Sequence, residues 1–338
     1  MAKVLVTGAS GFIGTHLVAA LAARGDDVTC LVRKQSQVGR LQALGAKMVL
    51  GDVTDSASLP PAVAGKQIIY HLAGRVCALN RRQFLDVNRR GAACVAKACA
   101  KQQTTPVLVH VSSLAAAGPA IDGRARVESD PPAPVSCYGR SKRSGEHAVE
   151  RFAARLPITI VRPAIVLGEG DVASLPMFRS IVRFRLHAAP GLRSTRVSLL
   201  HVDDLVQLFI LAAERGKRLT PPSGKGQSPG TGYYFAANEQ DVLYADLGRL
   251  IAESVGQRVV VIPVRRPLIR TITALGEIIG QIRGKPSLMN LDKFREIMAG
   301  SWICSSQAAR DDLGFTVTVP LIERLRQTAQ WYRREGWL

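Results

Sequence analysis

Short apolar runs alternate with amphipathic stretches along the first half of the chain. Lys3-Val4-Leu5-Val6-Thr7, closed by Gly8, is an apolar run of the kind that parallel sheets bury on both faces. From Phe12 to Ala23 apolar residues recur at helical spacing. The pattern stops at Arg24-Gly25, a basic last turn followed by a helix-ending glycine. The same alternation predicts strands over 27–32, 47–50, 67–72, 106–111 and 158–162, and helices over 38–44, 84–101 and 138–154. Strands and helices taking turns at this spacing build βαβ units, so the expected fold is α/β with a doubly wound parallel sheet.

Beyond Pro163 the alternation loosens. Residues 215–232, rich in Lys, Pro, Ser and Gly, read as a long loop, and Tyr233–Ala236 as one further short strand. Residues 241–255 and 305–331 read as mostly helical. The expected organisation is a dinucleotide-binding domain over 1–167, with returning segments near 196–214 and 232–237. A smaller, mostly helical substrate domain takes 168–195 and 238–338. No internal repeat is visible.

Of the 338 residues 47% are hydrophobic and 21% charged, which suits a folded globular chain. A net charge of +19 changes the picture, because such a surface attracts anions of every kind. No helix-turn-helix, zinc-finger or aromatic RNA-binding signature accompanies it, so nucleic acid is not an expected partner. A solvated basic face and an anionic membrane surface both stay open. The six cysteines (Cys30, Cys77, Cys94, Cys99, Cys137, Cys304) form no C-x-x-C pair and no metal-ligand spacing with histidine. They read as free thiols of a reducing, cytoplasmic setting, with no metal expected. The first strand begins at Lys3, which argues against a signal peptide, and charge interrupts every long apolar stretch, which argues against a transmembrane helix.

Between the first strand and helix lies Thr7-Gly8-Ala9-Ser10-Gly11-Phe12-Ile13-Gly14. Gly8 permits a sharp turn, Gly11 lets backbone approach a pyrophosphate, and Gly14 lets helix and strand pack closely. The helix N-terminus then favours the phosphate, making this a Rossmann-type nicotinamide dinucleotide site. At the end of the second strand an acidic residue would hold the ribose of NAD. Here the strand ends Leu31-Val32-Arg33-Lys34, with Arg40 a turn or so further on, and a guanidinium matches a phosphate dianion. NADP is therefore favoured over NAD. Asp52-Val53 is a candidate contact for the adenine. Leu72-Ala73-Gly74 lies at the carboxyl edge of the sheet, and Pro163 and Ile165 follow its last strand; all five are candidate cofactor contacts. His71 reads as structural.

Tyr138 and Lys142 are four residues apart, on one helix face. A lysine beside a tyrosine is expected to lower the phenol's pKa, fitting Tyr138 to move a proton at a substrate oxygen while hydride moves at carbon. Ser112-Ser113 ends a strand at the same edge, where one hydroxyl can polarise that oxygen.

Together Thr7-Gly8-x-x-Gly11-x-x-Gly14, Asp52-Val53, Ser112-Ser113, Tyr138-x-x-x-Lys142 and Arg162-Pro163 resemble the extended short-chain dehydrogenase/reductases. The likeness continues through His201-Val202-Asp203-Asp204 and the closing Leu313-Gly314-Phe315 and Trp331-Tyr332 to Gly336-Trp337-Leu338. The resemblance implies a catalytic Ser–Tyr–Lys set, with Tyr138, Lys142 and Ser113, or Ser112 in second place. It implies that Asn88 supports a proton relay, that Ser112, Tyr138 and Lys142 also touch the cofactor, and that the chain pairs into a homodimer. Gly168-Glu169-Gly170-Asp171 is similar to the dihydroflavonol-reductase and 3-beta-hydroxysteroid-dehydrogenase branch, and Arg33 and Arg40 to the NADP-dependent reductases within it. The Asn-x-Tyr-Gly-Pro of sugar-nucleotide epimerases is missing.

The expected substrate walls, 114–135, 164–196 and the segment after Pro263, are aliphatic and poor in aromatics, which favours a small hydrophobic ketone or alcohol. Arg179, Arg183, Arg185 and Arg193 fit either a phosphate clamp or a solvated helix face. Leu268, Ile272, Leu275, Ile279 and Ile282 recur at three- and four-residue spacing within 265–283. They fit a core-facing helix, or an amphipathic helix lying on the inner face of a membrane. The leading expectation is an NADP-dependent ketone/alcohol oxidoreductase. A sugar-nucleotide epimerase or dehydratase with tightly held NAD(P) is the alternative, and a non-catalytic dinucleotide-binding protein the third.

Overall fold

The computed structural model describes residues 1–191, 195–221 and 230–338. Its centre is a seven-stranded parallel sheet of β1 (Lys3–Thr7), β2 (Asp27–Val32), β3 (Lys47–Leu50), β4 (Ile68–His71), β5 (Val107–Val111), β6 (Ile158–Pro163) and β7 (Tyr233–Ala236). The strand order is β7-β6-β5-β4-β1-β2-β3. Chain order reverses between β1 and β4, the switch point at which a crevice forms at the carboxyl edge of an open parallel sheet. Side chains alternate between the two faces of each strand. Val4 and Val6 join one core with Leu17, Leu21 and Phe209, while Leu5 joins the other with Val95 and Val149.

The expected 84–101 helix begins earlier, at Arg81, and is not uniform. Arg81–Leu85 and Ala92–Ala100 are α-helical, and Asp86–Gly91 between them is a π-helical turn. Two short helices carried no readable pattern. Leu59–Val63 holds Pro60-Pro61 in its first turn, where proline is tolerated, and Leu114–Ala117 is too short to show a period.

The second half is mostly helical, as the sequence suggests. Besides helices such as Leu175–Phe184, Tyr244–Ser254, Arg266–Ile282 and Leu321–Arg334, the described residues form three two-stranded ribbons. They pair Ile165–Leu167 with Leu199–His201, Arg196–Val197 with Val242–Leu243, and Leu186–Pro190 with Val260–Val264. Strands this short leave little pattern to read. The 215–232 segment starts at the last residue of helix Val202–Arg215, and 222–229 lie outside the described residues.

A polar cluster ties the two ends of the chain together. His16, one turn into helix Phe12–Ala23, pairs with Asp203 at 3.3 Å, and Arg324 reaches Asp203 at 3.0 Å and Asp204 at 2.9 Å. Among the described residues no helix is long and apolar enough to cross a membrane.

Candidate active site and dinucleotide cradle

The glycine turn is built by close approach. Gly8 has φ +74°, and a Cβ there would lie 2.7 Å from the Ala73 nitrogen, so the turn after β1 is pressed against the loop after β4. A Cβ on Gly14 would lie 2.2 Å from the Gly8 carbonyl oxygen; helix Phe12–Ala23 rests on the turn itself. Gly11 caps this helix with extended backbone, and no acidic residue stands in the first turn. Ser10 is exposed at the tip, while Phe12 and Ile13 are half-buried. Free N–H groups and the positive helix end thus face the crevice without a competing carboxylate, and the cradle fits a pyrophosphate.

Thr7 locks the neighbouring loop. Its carbonyl accepts from the Leu72 N–H at 3.1 Å, its hydroxyl accepts from Ala73 N–H at 3.3 Å, and the same hydroxyl is 2.7 Å from His71 Nδ1. His71 stacks on His110 with ring centroids 5.3 Å apart, and burial pushes both imidazoles far below their usual range. Both are neutral. Gly74 lies at the cleft, where a Cβ would be 3.4 Å from Asn88 Oδ1 and 3.5 Å from Lys142 Nζ.

Arg33, just past β2, and Arg40, on helix Gly39–Ala43, are both exposed. Arg40 borders a cleft of about 210 Å³ with Thr15, His16 and Ala19 of the dinucleotide helix. Burial pushes the Asp52 carboxyl up, but two hydrogen bonds from Thr54 and the Arg33 charge leave it below the ordinary range. Val53 is buried, with Gly91 pressed against it.

Helix Cys137–Glu150 carries Tyr138 and Lys142. Ser136 caps it by accepting from the Gly139 N–H at 2.8 Å, and Asp292 of helix Leu291–Met298 accepts from the N–H groups of Cys137 (2.6 Å) and Tyr138 (3.0 Å). Ser113 caps helix Leu114–Ala117, its hydroxyl accepting from the Ala115 N–H at 3.1 Å and lying near the Tyr138 phenol, whereas Ser112 is buried near Glu146. The two serines thus have different neighbours.

One expectation is corrected. The Lys142 ammonium does not depress the Tyr138 phenol; it donates to the Val111 carbonyl at 2.6 Å. Burial pushes the phenol up to about 12, against the nearby Ser113 hydroxyl and with help from the Glu296 charge. Burial also pulls Lys142 down to about 8, with Glu146 opposing. Tyr138 is therefore a protonated phenol at neutral pH.

Asn88 sits in the π-helical turn, a distortion often found at functional sites. Its amide oxygen accepts from Arg75 N–H at 2.7 Å and its amide nitrogen donates to the Arg75 carbonyl and to Ser141 Oγ at 3.0 and 2.8 Å. It thereby joins the loop after β4 to the Tyr138 helix. Pro163 ends β6 at the carboxyl edge, and Ile165, partly exposed, opens the first ribbon.

Arg179, Arg183 and Arg185 each have a local role. Arg179 donates to the Trp337 carbonyl at 2.8 Å, Arg183 stacks on Phe184, and Arg185 ends helix Leu175–Phe184 in the left-handed region. Arg193 lies outside the described residues. Three positioning groups escaped the sequence reading: Ser141, Glu146 and Asp292. Only Ser136, a hydroxyl just before a helical run, left a readable cap signal.

A glycine cradle at the switch point, beside a Ser–Tyr–Lys set, defines a nicotinamide-dependent enzyme of the dehydrogenase/reductase class. Its family follows from comparison: the model of the NAD dependent epimerase/dehydratase family matches residues 4–223, and the chain belongs to that family. It is 30% identical to a ceramide reductase of Caulobacter vibrioides over 99% of this chain and 96% of that one. It is likewise 30% identical to a Stigmatella aurantiaca 4-hydroxy-2-methyl-3-oxo-4-farnesyl-3,4-dihydroquinoline-1-oxide ketoreductase, over 81% of this chain and 80% of that one. A solved structure of Thermus thermophilus UDP-glucose 4-epimerase with NAD shares the fold, with a TM-score of 0.74 at 19% identity over 98% of this chain and 99% of that one.

Proposed function

We propose that the chain reduces a ketone to a secondary alcohol on a long-chain or polycyclic apolar substrate, with NADPH as reductant. The observation that carries this reading is the placement of the Tyr138 phenol, kept protonated by burial, near Ser113 at the sheet edge beside the glycine cradle. A protonated phenol is the form that gives a proton, which suits reduction. Relatives named as reductases of ceramide and of a farnesylated ring support an apolar substrate.

NADPH bound in the cradle would supply hydride to the carbonyl carbon. Ser113 and Tyr138 would hold the carbonyl oxygen, and Tyr138 would give it a proton as charge develops there, recovering that proton from solvent. Lys142 would hold the ribose, and Arg33 and Arg40 the 2′-phosphate. Asn88 would keep the Arg75 loop and the Tyr138 helix in register.

The test is NADPH and NADH oxidation with long-chain and polycyclic ketones. Tyr138→Phe should lower kcat by about 10²–10⁴ while leaving NADPH affinity unchanged. A protein that keeps its nucleotide through purification and interconverts a UDP-sugar without net oxidation overturns the reading. So does a fully active Tyr138→Phe variant.

A further inference from the structure

The apolar stripe of helix Arg266–Ile282 points away from the protein. Leu268, Ile272, Leu275, Ile279 and Ile282 are 44% to 80% exposed. At 100° per residue they fall within an arc of about 80°. The core-facing reading of these residues is thereby corrected: the inward face carries Ile269, Thr273 and Gly280 instead. Exposed apolar residues continue on both sides, as Val260 and Ile262 in the preceding strand and Leu288 and Met289 in the following loop. A folded chain seldom leaves so long an apolar face to water unless something covers it.

Charge selects what covers it. Exposed Arg265 and Arg266 stand at one end of the stripe, and exposed Arg283 and Lys285 at the other. Glu277, the helix's single acidic residue, is turned to the backbone N–H of Leu291 at 3.0 Å and so lies off the stripe. A second copy would set these four cations against their own kind. A bilayer with acidic headgroups would take the apolar stripe at its acyl boundary and the cations at phosphate level. A cleft of about 180 Å³ adjoins the same helix; its lining includes Leu79, Phe84 and Gly280 together with the charged Arg81, Asp292 and Arg295. The Phe84 ring is 6.2 Å from that of Tyr138.

We infer that residues 260–289 form a bilayer-docking surface, with helix Arg266–Ile282 seated in the headgroup boundary of an acidic membrane. The docking does not rest on the proposed ketone reduction.

The experiment is flotation of the full chain with vesicles of phosphatidylcholine alone and of phosphatidylcholine with phosphatidylglycerol, at low and high salt. The expected result is binding to the acidic vesicles only, weakened by salt. A Leu275→Glu/Ile279→Glu double variant should weaken that binding about tenfold or more. Both positions are exposed, and an unchanged melting temperature and NADPH oxidation with a short water-soluble ketone would show the variant folded and active. Equal binding by variant and parent would reduce the contact to general charge attraction and overturn the inference. A lipid-free dimer that the double variant dissolves would also overturn it, by naming a second copy as the cover. Either failure leaves the reductase reading standing if soluble ketones are turned over.

Discussion

Arg162 of β6 and Glu146 of the Tyr138 helix form a bidentate pair, Nε to Oε1 at 2.8 Å and Nη2 to Oε2 at 2.7 Å, with both side chains buried. Arg162 also lies 4.4 Å from the Tyr233 ring centroid. Such a pair need not outperform apolar residues of the same shape, but breaking it strands a charge in the core. Glu146→Gln should therefore destabilise the chain by about 3–5 kcal/mol in urea unfolding, and Glu146→Leu with Arg162→Met by much less. Equal losses in the two variants would mean that packing, not charge, is at stake. At the cofactor end, Arg33 and Arg40 are exposed and available to a phosphate. Replacing both by alanine should weaken NADPH about tenfold or more and leave NADH unchanged, read by fluorescence titration. An unaltered preference would place the 2′-phosphate elsewhere.

Sequence served these residues unevenly. Gly8, Gly11, Gly14, Tyr138 and Lys142 stand at fixed spacings within single elements, where local rules apply. Glu146 was invisible because its meaning depends on Arg162, which lies on a different element. The state of Tyr138 was misjudged because spacing places Lys142 on the same helix face but says nothing of the Val111 carbonyl that takes its ammonium.

The Tyr138 helix is aimed by contacts from outside it. Asp292 accepts from its first two N–H groups, and Ser136, which accepts from the third, donates to Glu296 Oε1 at 2.7 Å. Helix Leu291–Met298 thus grips the end of the helix that bears the phenol, through groups a helix leaves unsatisfied. Asp292→Asn keeps one acceptor where two are needed. It should lower kcat roughly ten- to a hundredfold by misplacing the phenol, with the KM for NADPH unchanged. A matching rise in the NADPH KM would point to general loosening of the fold instead. Elements with a full period, such as Phe12–Ala23, were legible in advance. The π-helical turn at Asn88 was not, since a one-residue change in hydrogen-bond register leaves the hydrophobic pattern almost untouched. The stripe at 268–282 was legible as a stripe, but periodicity does not say which side of a helix the rest of the molecule covers.

The two ends of the chain meet at His16, Asp203 and Arg324, so pH should act on how firmly they hold. Burial opposes the charge on His16, but the Asp203 hydrogen bond and the Glu169 carbonyl outweigh it and leave the imidazole raised above its ordinary value. Asp203 is held down to about 2, chiefly by His16. A raised histidine stabilises the fold in full below its unfolded value, about 6.5, and loses that contribution as pH climbs through the folded one. A depressed carboxylate stabilises above its unfolded value, about 3.9, and loses that contribution as pH falls. The pair therefore works at full strength between about 4 and 6.5. His16→Gln should lose about 1 kcal/mol at mildly acidic pH, kept small because Asp203 is partly exposed and screened, and less at alkaline pH. Thermal melts of variant and parent across that range give the answer. A penalty that does not change with pH would mean that Arg324, through its contacts to Asp203 and Asp204, holds the two ends without any help from the imidazole charge.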